Sequence, residues 1–292
     1  MNCLKALLVT VHSMERKIID DAFEAPRWCI KVIQSDQFSF VDLVHYMDAD
    51  YDWIFIDTHF EEDSVQYLNP DYLMLHLQKN TIHKGCGIIV FNSVVSESVD
   101  FSRQMFFSTF AQSIYSAYSD PESFAFSQSD ILCSTEYRGV VYFQTPLLAK
   151  IMSLVLANLS KDPDRLELGL WEMFMNGIEH GNLGIDHDLK KNQVHSDNMD
   201  DLVQHRLKVR DYKDRFVNAS YIINPKRATF DIKDEGDGFD WLKFWEIDNS
   251  RMLDRCGRGI ALSRLMAFDH ITYLGKGNNV ICSSDFEKED FE

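Results

Sequence analysis

Short apolar runs alternate with segments of helical periodicity through the first 125 residues. KALLVTV at 5–11, Cys29–Gln34, the YDWIFID stretch ending at Asp57, and GCGIIVFNSV are brief and apolar, and they read as buried strands. Between them, apolar residues recur at helical spacing over 14–24 (Ile18, Ile19, Ala22, Phe23), over 39–48 (Val41, Leu43, Val44, Met47) and over about 68–79. Strands alternating with helices predict a parallel sheet with helices on its faces. Segment 119–130, SDPESFAFSQSD, loses this periodicity and marks a boundary. The chain thus divides into 1–125 and 126–292, and 292 residues suit two domains. The second part opens with a strand over 131–143 and a helix over 146–160. Residues 186–215 are polar, contain no metal-ligand spacing, and read as a solvated helix or loop inserted in that part.

The segment DPDRLELGLWEMFMNGIEHGN at 162–182 is a helix with two faces. Asp162 can cap it, Pro163 suits the first helical position and Gly181 can stop it. Leu166, Leu170, Phe174, Gly177 and Ile178 share one stripe, which should pack on a sheet. Glu172, Asn176 and His180 share another, one turn apart. Such a polar stripe ordinarily faces water. It also places a carboxylate, able to take a proton from a hydroxyl or water, one turn from a neutral oxygen suited to Mg²⁺.

Two glycine motifs follow. In ATFDIKDEGDGF, alternation makes 228–233 a strand that runs into D-x-G-x-G. Asp234 at a strand end can accept a hydrogen bond from an exocyclic amine. Gly236 and Gly238 permit close backbone approach. A calcium loop would need a bidentate Glu at its twelfth position, and Trp245 stands there. In CGRGIALSRLMAFD, Gly257 and Gly259 flank Arg258 where an apolar helix begins with Ile260, Leu262, Leu265 and Met266. A glycine turn opening a helix offers N–H groups to phosphate, and Arg258 adds a charged contact. Singly, D-x-G-x-G could be a tight turn, and a plain helix-entry turn is the commoner explanation of G-x-G.

The ordered set E-x-x-x-N-x-x-x-H-G-N, D-x-G-x-G-F and G-R-G-I resembles the three boxes of the GHKL ATPase superfamily. The wording EHGN, the short gap between the glycine boxes and the tail FDHITYLGKGNNVIC resemble its anti-sigma-factor serine kinases. The resemblance spans roughly 130–285. It implies a GHKL α/β sandwich with ATP between the helices and a lid over 240–256. Glu172 would be the general base, Asn176 the Mg²⁺ ligand and Asp234 the adenine contact. Gly236, Gly238, Gly257, Arg258 and Gly259 would edge the phosphates. His180 has no assigned role beyond a helix-end cap. The implied activity is a protein serine kinase that phosphorylates an anti-sigma factor antagonist in a partner-switching pathway, with a sigma factor as a candidate second partner. The alternative is a non-catalytic module that sequesters a partner when ATP orders the lid.

The first half resembles a response-regulator receiver, a doubly wound, flavodoxin-like domain in which Asp57 would be the phosphoacceptor. Thr10 and Val11 stand where receivers place their acidic pair, Asn92 and Ser93 stand at the hydroxyl position, and SIYSAYSDP, expected as the fifth strand, lacks its lysine. Without the acidic pair, Mg²⁺ has no support there. The reading is a pseudo-receiver that serves as a binding or homodimerisation surface.

Charge and composition narrow the field. A formal net charge of −17 repels phosphate backbones, which argues against direct nucleic-acid binding. No apolar stretch reaches the ~18 residues needed to span a bilayer. The six cysteines form no C-x-x-C pair and read as free thiols of a cytoplasmic protein. A histidine kinase fits poorly, because the helix TPLLAKIMSLVLANLSK carries no His and no partner helix precedes it.

Overall fold

The computed structural model describes residues 4–10, 23, 28–34, 51–57, 86–92, 99–126, 136–186, 189, 199–245 and 258–286. The helices expected over 14–24, 39–48 and 68–79 lie outside them, apart from Phe23, which is buried. The described residues are mixed α/β and form one nine-stranded mixed sheet. Its strands are β1 (Leu4–Thr10), β2 (Trp28–Gln34), β3 (Trp53–Asp57), β4 (Gly87–Asn92), β5 (Tyr137–Phe143), β6 (Val217–Ile223), β7 (Arg227–Lys233), β8 (His270–Leu274) and β9 (Asn279–Asp285). They lie in the order β2-β1-β3-β4-β5-β6-β7-β9-β8. The first four pair in parallel and the remainder are antiparallel.

The two halves of the sheet differ in burial, and their sequences show why. Every residue from Trp53 to Ile56 is buried, as are Leu7 and Leu8 on opposite faces of β1. Continuous apolar runs of this kind suit a sheet covered on both faces. In β6 and β7 buried residues alternate with partly exposed ones. That period of two gives one face to the core and one to water.

Helices α1 (Val99–Ser119), α2 (Pro146–Ala157) and α3 (Pro163–Asn176) lie side by side over the buried face. Thr145 caps α2 by accepting from the Leu148 N–H at 3.3 Å, and Pro146 starts it. Asn158, just past α2, donates to the Ser113 hydroxyl of α1 at 3.1 Å, with both residues buried. On α3, Leu166, Leu170, Met173 and Phe174 are buried as the stripe requires. The ring of Phe174 lies 4.7 Å from that of Phe143 in β5.

Several expectations are corrected. SIYSAYSDP is not a strand: residues through Ser119 continue α1, whose Ala111, Ile114 and Ala117 are buried at helical spacing. The place beside β4 is taken by antiparallel β5. Asp162 occupies the capping position of α3 without a side-chain bond to it. Strand β6, unforeseen, runs between the insert and the first glycine motif. The insert is not simply solvated. It contains α4 (Met199–Arg206), which buries Val203 and packs Met199 and Leu202 on the core. Cys86 and Cys282 are free and buried, but Cys29 is disulfide-bonded. Among the described residues no helix is long and apolar enough to cross a membrane.

Phe174→Ala removes a fully buried ring at the α3–sheet contact and is expected to cost about 3–5 kcal/mol. Urea denaturation should show a lower midpoint at unchanged slope. A loss below about 1 kcal/mol would mean that this contact does not anchor the helix.

Candidate functional site

Because α3 buries one stripe against the sheet, its opposite stripe is left to line a cleft of about 1070 Å³. Trp171, Glu172, Met175 and Asn176 form that wall. Facing them is the glycine turn that begins α5 (Gly259–Leu262). The approach is close: a methyl on Gly259 would collide with Oε2 of Glu172 and sit 3.7 Å from Nδ2 of Asn176. Arg258 and Gly238 join the same lining. Gly238 has φ of +81°, and a side chain there would run into the carbonyl of Lys276. Five of the residues singled out in the sequence therefore meet here: Glu172, Asn176, Gly238, Arg258 and Gly259.

The others are placed differently. Asp234 and Gly236 stand behind Gly181 rather than on the lining. The Asp234 carboxyl packs on Gly181 and accepts from the Gly236 N–H at 2.8 Å. Gly257 lies outside the described residues, as does most of the expected lid, from 246 on. α5 runs on as a wide turn over Ser263–Ala267, where Leu265 and Met266 are exposed rather than packed.

Past Asn176, helix α3 widens into a π-helical turn, Gly177–Asn182. The Leu183 N–H reaches five residues back to Ile178 O at 2.9 Å. Such turns recur at functional sites because they re-aim side chains. Here the widening brings Glu179, His180 and Gly181 to the cleft. The Nδ1 of His180 meets the carbonyl of Ile185 at 2.5 Å, beyond the helix, whose capping position is held by Leu183. Asn182 is buried; its Oδ1 accepts from the Glu235 N–H at 2.7 Å and its carbonyl accepts from Arg215 at 3.1 Å. It thus ties the helix end to the first glycine motif.

Sequence reasoning missed two walls. Phe239 and Phe244 line the cleft, within an aromatic strap that includes Trp241 stacked on Tyr273 at 5.2 Å. The density of rings in FDWLKFW was the available signal. Tyr212 and Arg215 also line it, from a segment whose polar composition hid them.

Carboxylates outnumber cationic side chains on the lining, where Glu172, Glu179, Asp186, Asp211, Asp237 and Asp240 face Arg215, Lys243 and Arg258. An anionic ligand would meet net repulsion unless a cation came with it. Among the described residues no three His, Cys, Asp or Glu side chains converge on a metal position. Asn176 nevertheless fits a Mg²⁺ held chiefly through a ligand's phosphates, because its amide is a hard donor. Its Nδ2 is buried and unpaired among the described residues, a cost that a bound group can offset by reordering the amide.

Burial pushes the Asp234 carboxyl up to about 7, while the Gly236 N–H and the nearby Arg215 oppose the rise. A raised folded value means the folded state holds the proton more tightly. The stability this group contributes is therefore present below about pH 4 and lost as pH rises through about 7. Urea melts from pH 4 to 8 should show wild type losing stability relative to Asp234→Asn over that window. A pH-independent difference would refute it. Compared with known proteins, the chain matches no family model and no curated protein.

Proposed function

We propose that the cleft binds Mg-ATP and that the chain is a regulatory protein of the anti-sigma-factor type, a GHKL serine-protein kinase acting on an anti-sigma factor antagonist in the cytoplasm. The observation that carries this reading is the apposition of Glu172 and Asn176 on one helix with Gly259 across the cleft, Arg258 and Gly238 sharing the lining. Three separated sequence motifs meet in that arrangement.

Each residue then has work suited to its chemistry. Asn176 would hold Mg²⁺, which when bound neutralises phosphate charge. Arg258 supplies a charge-assisted contact to phosphate, and the glycine turn lets backbone N–H groups come near. Glu172 takes the proton from the attacking serine hydroxyl. Phosphorylation adds nearly two negative charges to the antagonist, so an acidic kinase surface repels its own product. The parallel order β2-β1-β3-β4 supports the receiver-like reading of 1–125, with 126–292 as the GHKL part. Thr10 pairs in register with Asp57 at the strand ends, where a receiver would keep acids, consistent with a surface for binding or self-association rather than phosphate uptake.

A second reading, a module that sequesters a partner without chemistry, is favoured by one detail: Oε2 of Glu172 lies against Gly259, which narrows the room for a substrate hydroxyl beside that oxygen.

Calorimetry should detect ATP and ADP uptake that requires Mg²⁺, weakened at least about tenfold in Asn176→Ala. No uptake would refute the proposal. With radiolabelled ATP and candidate antagonist proteins, label transfer that disappears in Glu172→Ala supports the kinase. Tight binding without transfer supports the sequestering module.

A further inference from the structure

We infer that Tyr212, contributed by the inserted segment, is the wall that recognises the nucleobase. This deepens the nucleotide reading and rests on it.

Tyr212 is half-buried and lines the cleft at the end formed by the π-helical turn. A methyl on Gly184 would lie 3.6 Å from its ring edge. The ring is held in place before any ligand arrives. Arg206 donates to its hydroxyl at 2.7 Å, and the guanidinium carbons of Arg206 and Arg215 lie 4.9 and 5.2 Å from its centre. Its backbone is fixed as well: Gln144 donates to the carbonyls of Lys213 and Arg215, each at 3.1 Å. Arg215 is tied in turn to the Asn182 carbonyl. A rigid aromatic side chain, pre-positioned at one end of a cleft, is suited to a planar ligand group.

The two ends differ in their polar groups: the Gly259 end offers the start of a helix and Arg258. Asp186 and Asp211 line the cleft with Tyr212 and can accept from exocyclic amines, while Arg206 and Arg215 at the ring are already engaged by the Tyr212 hydroxyl and the Asn182 carbonyl. Asp234 stands just behind, against Gly181. Glu172, next to Gly259, is nine residues from Gly181 along the helix, roughly 13 Å at the usual rise. The triphosphate therefore belongs at the Gly259 end and the base against Tyr212.

The test compares ATP with inorganic tripolyphosphate, both with Mg²⁺, by calorimetry on the full chain. Tyr212→Ala should weaken ATP about tenfold and leave tripolyphosphate within about twofold. Tyr212→Phe, which keeps the ring, should hold ATP within about threefold. Unchanged ATP binding in Tyr212→Ala, or an equal loss for both ligands, overturns the inference. A wild type that binds tripolyphosphate but gains nothing from the base overturns it while leaving the phosphate end intact. A wild type that binds neither removes the nucleotide reading itself, and the wall with it.

Discussion

Helix α3 must satisfy two environments at once, and the site follows from how it does so. Leu166, Leu170, Met173 and Phe174 need the sheet, and the 3.6-residue repeat then leaves Glu172 and Asn176 no choice of direction. Were the apolar stripe packed less firmly, the helix could roll and the polar pair would lose its aim. The ring of Phe143 beneath Phe174 is part of what prevents that. Functional geometry in this chain is thus a by-product of core packing on the opposite side of one helix.

The first glycine motif is held by the end of the same helix. Asn182 fixes Glu235 through its side chain and Arg215 through its carbonyl, so one buried residue joins α3, β7 and the insert. This depends on the widened turn. A regular helix would have carried Asn182 round to another heading. The polar network at that end of the helix is therefore as much a positioning device as the apolar stripe is.

Strands β1 to β5 and β7 were legible because each contains a short apolar or alternating run, whereas β6 was not foreseen. Five of the eight candidate site residues share one cleft, and what grouped them in the sequence was the resemblance carried by the ordered motifs. What escaped had physical reasons. SIYSAYSDP carries residues common in strands, yet its alanines and Ile114 fall at helical spacing and the sheet position it would have filled goes to β5. Tyr212 lies in a stretch with no apolar periodicity, so nothing in its neighbours announced an inward-facing ring. Asn182 belonged to the EHGN wording, but its role arises from a π-helical turn, which local sequence does not encode plainly.

The seam between β4 and β5 has a further implication. Five residue pairs, Ile88–Tyr142 through Asn92–Arg138, join the parallel and antiparallel strands by backbone hydrogen bonds. Chains with independent modules usually meet through a pliable tether and side-chain contacts. Here the main chain itself is stitched across the middle, so severing the molecule at that point would bare two unpaired strand edges, each a template for adhesion to other chains.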